Sequence, residues 1–113
     1  MQLIGKKKLE KLRRKNIGNR SLIRAMNKLI NEIEASEWVR KEEVMISRPD
    51  ADCVHSDGFY FFNLGTYRTL MLIELDEGNA TVIWVGNHME YENTFRNNKQ
   101  TIRRWLKANE YID

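Results

Sequence analysis

The chain has two imidazoles, His55 and His88. Imidazole is the side chain whose ordinary pKa suits it to move protons near neutral pH. His88 stands where the apolar run Val82-Ile83-Trp84-Val85 gives way to polar residues. Tyr91 follows three residues later, so on a helical turn both side chains share one side. Arg68 opens the preceding apolar run, three residues after Gly65. Its guanidinium stays charged and offers two donors at once to an oxyanion. If the three converge, they suit proton transfer at a phosphate. Each also has an ordinary structural use: a half-buried imidazole with one hydrogen bond, an ion pair to Glu74, a rim tyrosine with its hydroxyl in water.

Other chemistries are poorly served. One cysteine, Cys53, and two histidines cannot build a disulfide framework or a zinc cluster, so neither metal nor cofactor is expected. Glycine-rich phosphate loops, GxSxG, HExxH and CxxC are all absent. A single cysteine suits a reducing compartment. No apolar run approaches the roughly 20 residues of a membrane helix. Residues Met1 to Lys8 lack the apolar stretch of a secretory signal. A cytoplasmic protein with no membrane partner is the expectation.

The net charge of +3 hides an uneven distribution. Lys6, Lys7, Lys8, Lys11, Arg13, Arg14, Lys15, Arg20, Arg24 and Lys28 face a single acid, Glu10, in the first 28 residues. Such a segment attracts polyanions by releasing their counterions. It is also what a solvated helix face looks like, and an acidic protein or a membrane surface would be drawn to it as well.

These residues need elements to position them. With 113 residues, one domain spanning 1–113 is expected. Gln2-Leu3-Ile4 reads as a short strand, and Lys6 to Lys15 as a helix with Leu9 and Leu12 on one side. Asn16 to Asn19 is a turn, after which Asn19 or Ser21 caps a second helix. In that helix Leu22, Ile23, Met26, Leu29, Ile30 and Ile33 recur at three and four residues, to an end near Ser36. Residues 38–57 give little pattern, apart from a loop at Arg48-Pro49-Asp50-Ala51-Asp52. Phe59 to Leu64, Tyr67 to Leu75 and Ala80 to Gly86 read as strands, joined at Gly65-Thr66 and at Asp76-Glu77-Gly78-Asn79. Lys99 to Asn109 closes the chain as a helix through Ile102, Trp105 and Leu106. The predicted class is α+β, in the order β-α-α-β-β-β-α, with an antiparallel sheet packed on the two N-terminal helices and the first strand able to join it.

The run Phe61-Phe62-Asn63-Leu64-Gly65-Thr66-Tyr67-Arg68, followed by a strand, a hairpin turn and Ile83-Trp84-Val85-Gly86-Asn87-His88-Met89-Glu90-Tyr91, resembles the RelE superfamily of toxins, its HigB branch most of all. Members carry an Arg at the start of the penultimate strand and end the last strand on a Thr-His-x-Glu-Tyr-Asp type motif. Here Asn87 stands for the Thr and Glu92 for the Asp. The two N-terminal helices and a Pro-x-x-Asp loop add to a resemblance over most of residues 1–95.

The resemblance implies the compact sheet fold of microbial ribonucleases. It implies metal-independent cleavage of mRNA, usually in the ribosomal A site, by a toxin held in check by an antitoxin encoded beside it. Such cleavage needs a base for the 2′-hydroxyl proton, a cation for the phosphate and an acid for the leaving 5′-oxygen. On this basis His88 is the general acid or base and Arg68 the phosphate-binding cation. Tyr91 stacks on a base or orients the phosphate. His55, at a loop position where HigB proteins often carry Lys, shares the proton transfers if it faces Arg68 across the groove, or is a loop residue without a role. Arg48 and Arg96 would grip flanking phosphates, and Lys6, Lys7, Lys8, Lys11, Arg13 and Arg14 would hold messenger or ribosomal RNA, or each is simply solvated. Two other readings remain open here: a ParE-like toxin that inhibits gyrase without catalysis, and a non-catalytic RNA-binding module.

Overall fold

The computed structural model describes residues 1–113. The chain runs β1 (Gln2–Ile4), α1 (Lys6–Lys15), α2 (Arg20–Ala35), α3 (Lys41–Ser47), β2 (Asp52–His55), β3 (Phe59–Leu64), β4 (Tyr67–Glu74), β5 (Asn79–Asn87), α4 (His88–Phe95) and α5 (Lys99–Ala108). The five strands form one sheet in the order β1-β5-β4-β3-β2. The mixed α+β class agrees with expectation, while three elements, α3, β2 and α4, go beyond the expected order. The sheet is also not wholly antiparallel, because β1 lies parallel to β5, with Leu3 opposite Ala80.

The sheet is covered on both faces. On one, Leu9 of α1 and Leu22, Met26, Leu29, Ile30 and Ile33 of α2 pack on Tyr60, Phe62, Leu64, Met71, Ile73, Ala80 and Val82. Asn19 caps α2 by accepting from the Leu22 N–H at 3.1 Å. On the other face, Tyr91 and Phe95 of α4 and Ile102 and Leu106 of α5 pack on Val54, Phe59, Phe61, Leu70 and Ile83. Packing on the two N-terminal helices alone is thus half of the arrangement. Alternate residues of β3 serve opposite faces, which is why Phe59, Tyr60, Phe61 and Phe62 are all buried.

β5 breaks this alternation. Leu70 pairs with Trp84 but Met71 pairs with Val82, so Ile83 is an extra residue, a β-bulge. Ile83 and Trp84 consequently both serve the face under α4 and α5, and Val85 returns to the other. The bulge re-phases the end of β5, where the chain enters α4.

Candidate active site

Arg68 is placed by the hairpin between β3 and β4. Gly65 takes a φ of 65°, which a side chain would resist, and lets a two-residue connection pair Leu64 with Tyr67. The next pair is Asn63 and Arg68. The Arg68 Nε donates to Asn63 Oδ1 at 3.3 Å, and its Nη2 lies 3.9 Å from Asp52 Oδ2. The guanidinium carbon sits 4.9 Å from the centre of the Phe61 ring and 4.7 Å from that of Tyr91. Cation–π attraction thus holds the fork from two rings, and Nη1 has no partner within the protein.

Gly86 faces Arg68 across the β4–β5 ladder. A Cβ there would stand 2.6 Å from the Trp84 indole. That indole packs edge-on against Phe61 and Phe95. The absent side chain at 86 is therefore what lets Trp84 close over the strand.

Asn87 turns the chain from strand to helix. Its side chain accepts from the Glu90 N–H at 2.8 Å, and Glu90 Oε1 accepts from the Asn87 N–H at 2.9 Å. This capping box makes His88 the first residue of α4. The His88 ring stacks on Tyr91 with centroids 6.4 Å apart, and Nε2 lies 3.7 Å from Glu92 Oε1. The His88 side chain is 75% exposed and so open to an incoming group. Tyr91 is the reverse, 2% exposed beneath Arg68, Phe61 and Phe95. It offers no free face for a nucleobase. Its hydroxyl donates to Asn97 Oδ1 at 3.0 Å. Burial pushes the phenol above its ordinary value of 10.0, with Arg68 pulling the other way, so Tyr91 is a neutral support.

Arg68, His88 and Tyr91 share one cleft of about 440 Å³ with Asn63, Gly65, Thr66, Tyr67, Glu92 and Asn97. His55 is not among them. It ends β2 opposite Phe59, at the level of Leu72 rather than Arg68, and lines a different depression with Lys99, Gln100 and Arg103. The fold carries it along the strand, away from the groove in which the sequence reading placed it opposite Arg68.

Arg48 is also elsewhere in role. It is buried, and its guanidinium bonds Asp50 at 2.7 Å, Glu32 at 3.4 Å and the Asn63 carbonyl at 3.2 Å. It joins α2, the loop and β3, and cannot reach a phosphate without leaving them. Arg96 is exposed in the left-handed turn after α4. Lys6 pairs with Glu34 at 2.8 Å, and Arg13 bonds Asn27 at 2.6 Å and Glu10 at 3.5 Å. Lys7, Lys8, Lys11 and Arg14 are exposed. Lys8 and Lys11, with Lys15, line a second cleft of about 430 Å³ that shares Tyr67 with the first.

Phe61, Asn63 and Asn97 escaped the sequence reading. The first two had a signal: a two-residue connection at Gly65-Thr66 forces Asn63 opposite Arg68 and puts Phe61 on the same face. Asn97 had none, since its approach depends on two successive left-handed residues, Arg96 and Asn97, with φ of 54° and 47°.

No cluster of three or more His, Cys, Asp or Glu side chains is placed to hold a metal ion. No helix is long and apolar enough to cross a membrane. No curated protein matches the chain. The model of one family, HigB_toxin, described as the RelE-like toxic component of a toxin-antitoxin system, matches residues 23–94. That span takes in Arg68, His88 and Tyr91 and more than half of the chain. The chain belongs to the HigB family of RelE-like toxins, which implies a cognate antitoxin as its partner.

Proposed function

We propose that this toxin is an endoribonuclease that cleaves mRNA on the ribosome by attack of the 2′-hydroxyl on the adjacent phosphate, without a metal. The observation that carries it is the shared use of Tyr91: Arg68 lies 4.7 Å from its ring centre and the His88 ring stacks on it at the mouth of one cleft. Arg68, held by two rings and Asn63, presents Nη1 to the phosphate with little left to order on binding. His88 moves one proton, from the 2′-hydroxyl or to the leaving 5′-oxygen, and water carries the other, as no second imidazole lines the cleft. The O2′–P bond forms, the P–O5′ bond breaks, and the products are a 2′,3′-cyclic phosphate and a 5′-hydroxyl. Exposed Lys8 and Lys11 beside the cleft suit the flanking backbone.

The test is brief induced expression of wild type and His88→Ala, with growth followed and message ends mapped by primer extension. Wild type should arrest growth and cut translated messages, leaving cyclic phosphate ends. His88→Ala should do neither at equal protein level, since removing an exposed side chain costs little stability. Intact messages under wild type, or equal toxicity of His88→Ala, would overturn the reading and favour a toxin that acts by binding alone.

A further inference from the structure

The C-terminal helix carries charge that the cleft does not use. α5 buries Ile102 and Leu106. Its remaining surface carries Lys99, Arg103, Arg104 and Lys107 without a single acid, and all four are exposed. None takes part in an ion pair. Lys99, Arg103 and Lys107 form one row at four-residue spacing, about 12 Å long at 1.5 Å per residue. Like charges at that spacing repel. Lys99 in the first turn also opposes the helix dipole, with no acid there to offset it. Lys107, in the last turn, suits the dipole, but Lys99 and Arg103 gain nothing from it, so helix stability does not account for the row.

His55 belongs to this surface. With Ser56, Lys99, Gln100 and Arg103 it lines a depression of about 490 Å³. Gln100, Arg103, Arg104 and Lys107 line the next one, of about 350 Å³, without an apolar side chain. The His55 Nδ1 accepts from the Asp57 N–H at 3.1 Å, so the neutral ring carries its proton on Nε2, a donor with no partner in the protein.

We propose that His55 and the basic side of α5 form a second RNA site, which takes backbone phosphates of the strand outside the cleft; this rests on the RNA-cleaving reading of that cleft. Cations in a row with polar donors between them match a polyanionic backbone. A protein interface would centre on a buried aromatic or aliphatic anchor, and the α5 depression has none. The site is within reach of the same strand. His55 stands at the Leu72 level, about 13 Å along the strands from Arg68 and about 10 Å across from β4 to β2, or roughly 16 Å in all, a span of about three nucleotides. α5 lies beyond the family match at 23–94, so the match itself assigns it no role.

The probe is a 12-nucleotide 2′-O-methyl oligouridine, which binds without being cut. Its affinity for wild type and for Lys99→Gln/Arg103→Gln/Lys107→Gln is measured by fluorescence anisotropy at several salt concentrations, after circular dichroism has matched their folds. The triple variant should bind tenfold or more weakly. Its slope of log affinity on log salt should be shallower by about 2, at roughly 0.7 per single-strand phosphate contact. Lys99→Arg/Lys107→Arg should keep both. Equal affinity and slope for the triple variant, or no binding by wild type, overturns the proposal. So does an unchanged RNA slope with lost binding to polyglutamate, which would assign the face to an acidic protein partner. Message cleavage is scored separately: wild type that cuts messages while the α5 slope is unchanged sinks only this site. A changed slope without cleavage upholds the site and sinks the nuclease reading.

Discussion

The guanidinium carbon of Arg68 lies 4.7 Å from the ring centre of Tyr91, and the Tyr91 hydroxyl is in turn tied to Asn97 at 3.0 Å. The residue that presents charge to the cleft is thus fixed by one that the cleft scarcely sees. Arg68→Lys keeps the charge but loses the fork and its stacking. Cleavage should fall about 100- to 1000-fold, with stability changed by about 1 kcal/mol or less. Tyr91→Phe keeps the ring beneath Arg68 and gives up the hydroxyl bond. It should cost about 1 kcal/mol of stability and less than tenfold in cleavage. Tyr91→Leu should lose as much cleavage as Arg68→Lys. Initial cleavage rates set beside urea denaturation midpoints check all three, and a Tyr91→Leu protein with wild-type cleavage would remove Tyr91 from the site.

Arg48 should matter through folding. Its ion pairs with Asp50 and Glu32 are largely buried, and Asp50 also accepts from the Asn63 N–H at 2.8 Å. Arg48→Ala leaves two carboxylates uncompensated, and the expected cost is about 3 kcal/mol or more. At a temperature where the variant remains folded, the salt dependence of RNA binding should match wild type. A shallower salt slope at full stability would instead make Arg48 a phosphate contact.

Gly86→Ala puts a Cβ within 2.6 Å of the Trp84 indole, which Phe61 and Phe95 hold edge-on. Over-packing of this kind costs about 1–3 kcal/mol. Because Gly86 pairs with Arg68, cleavage should fall as well. Urea denaturation midpoints and initial cleavage rates report the two effects.

Tyr60 supplies a pH dependence. Burial, reinforced by Cys53 across the β2–β3 ladder, pushes its phenol up to about 12 from an ordinary 10.0. From pH 10 upward the unfolded chain has released a proton that the folded one still holds. Stability therefore falls as pH rises from about 10 to 12, and the full contribution is present below 10. Its size is on the order of 2 kcal/mol. Tyr60→Phe should flatten that part of the alkaline decline relative to wild type, read from urea midpoints at pH 9 and pH 11.5. Parallel pH curves for the two proteins would refute the assignment.

The sequence by itself determined those parts whose residues are near neighbours along the chain. The three- and four-residue recurrence from Leu22 to Ile33 set α2, and Asn19 set its start. Short turns at Gly65-Thr66 and Gly78 set the β3–β4–β5 meander and, with it, the Asn63–Arg68 pair. The step from strand to Asn87-His88 put an imidazole at the sheet's edge. α3 was not legible, because Val44, Met45 and Ile46 lie side by side without a period and only Val44 is buried, and β2, four residues with one buried, is too short for an alternation to show. α4 is eight residues long with two buried side chains, too few for a pattern to stand out. The parallel seat of β1 beside β5 joins residues more than seventy positions apart, and no local signal carries that. Tertiary structure alone decided that His55 does not share the Arg68 cleft. Both histidines had the right chemistry, but strand register sends His55 about 13 Å along the sheet to α5, while the β5 bulge and the Asn87 cap bring His88 over Tyr91. It likewise turned Arg48 inward, because Asp50 and Glu32 are within reach only once α2 and the loop have packed on β3.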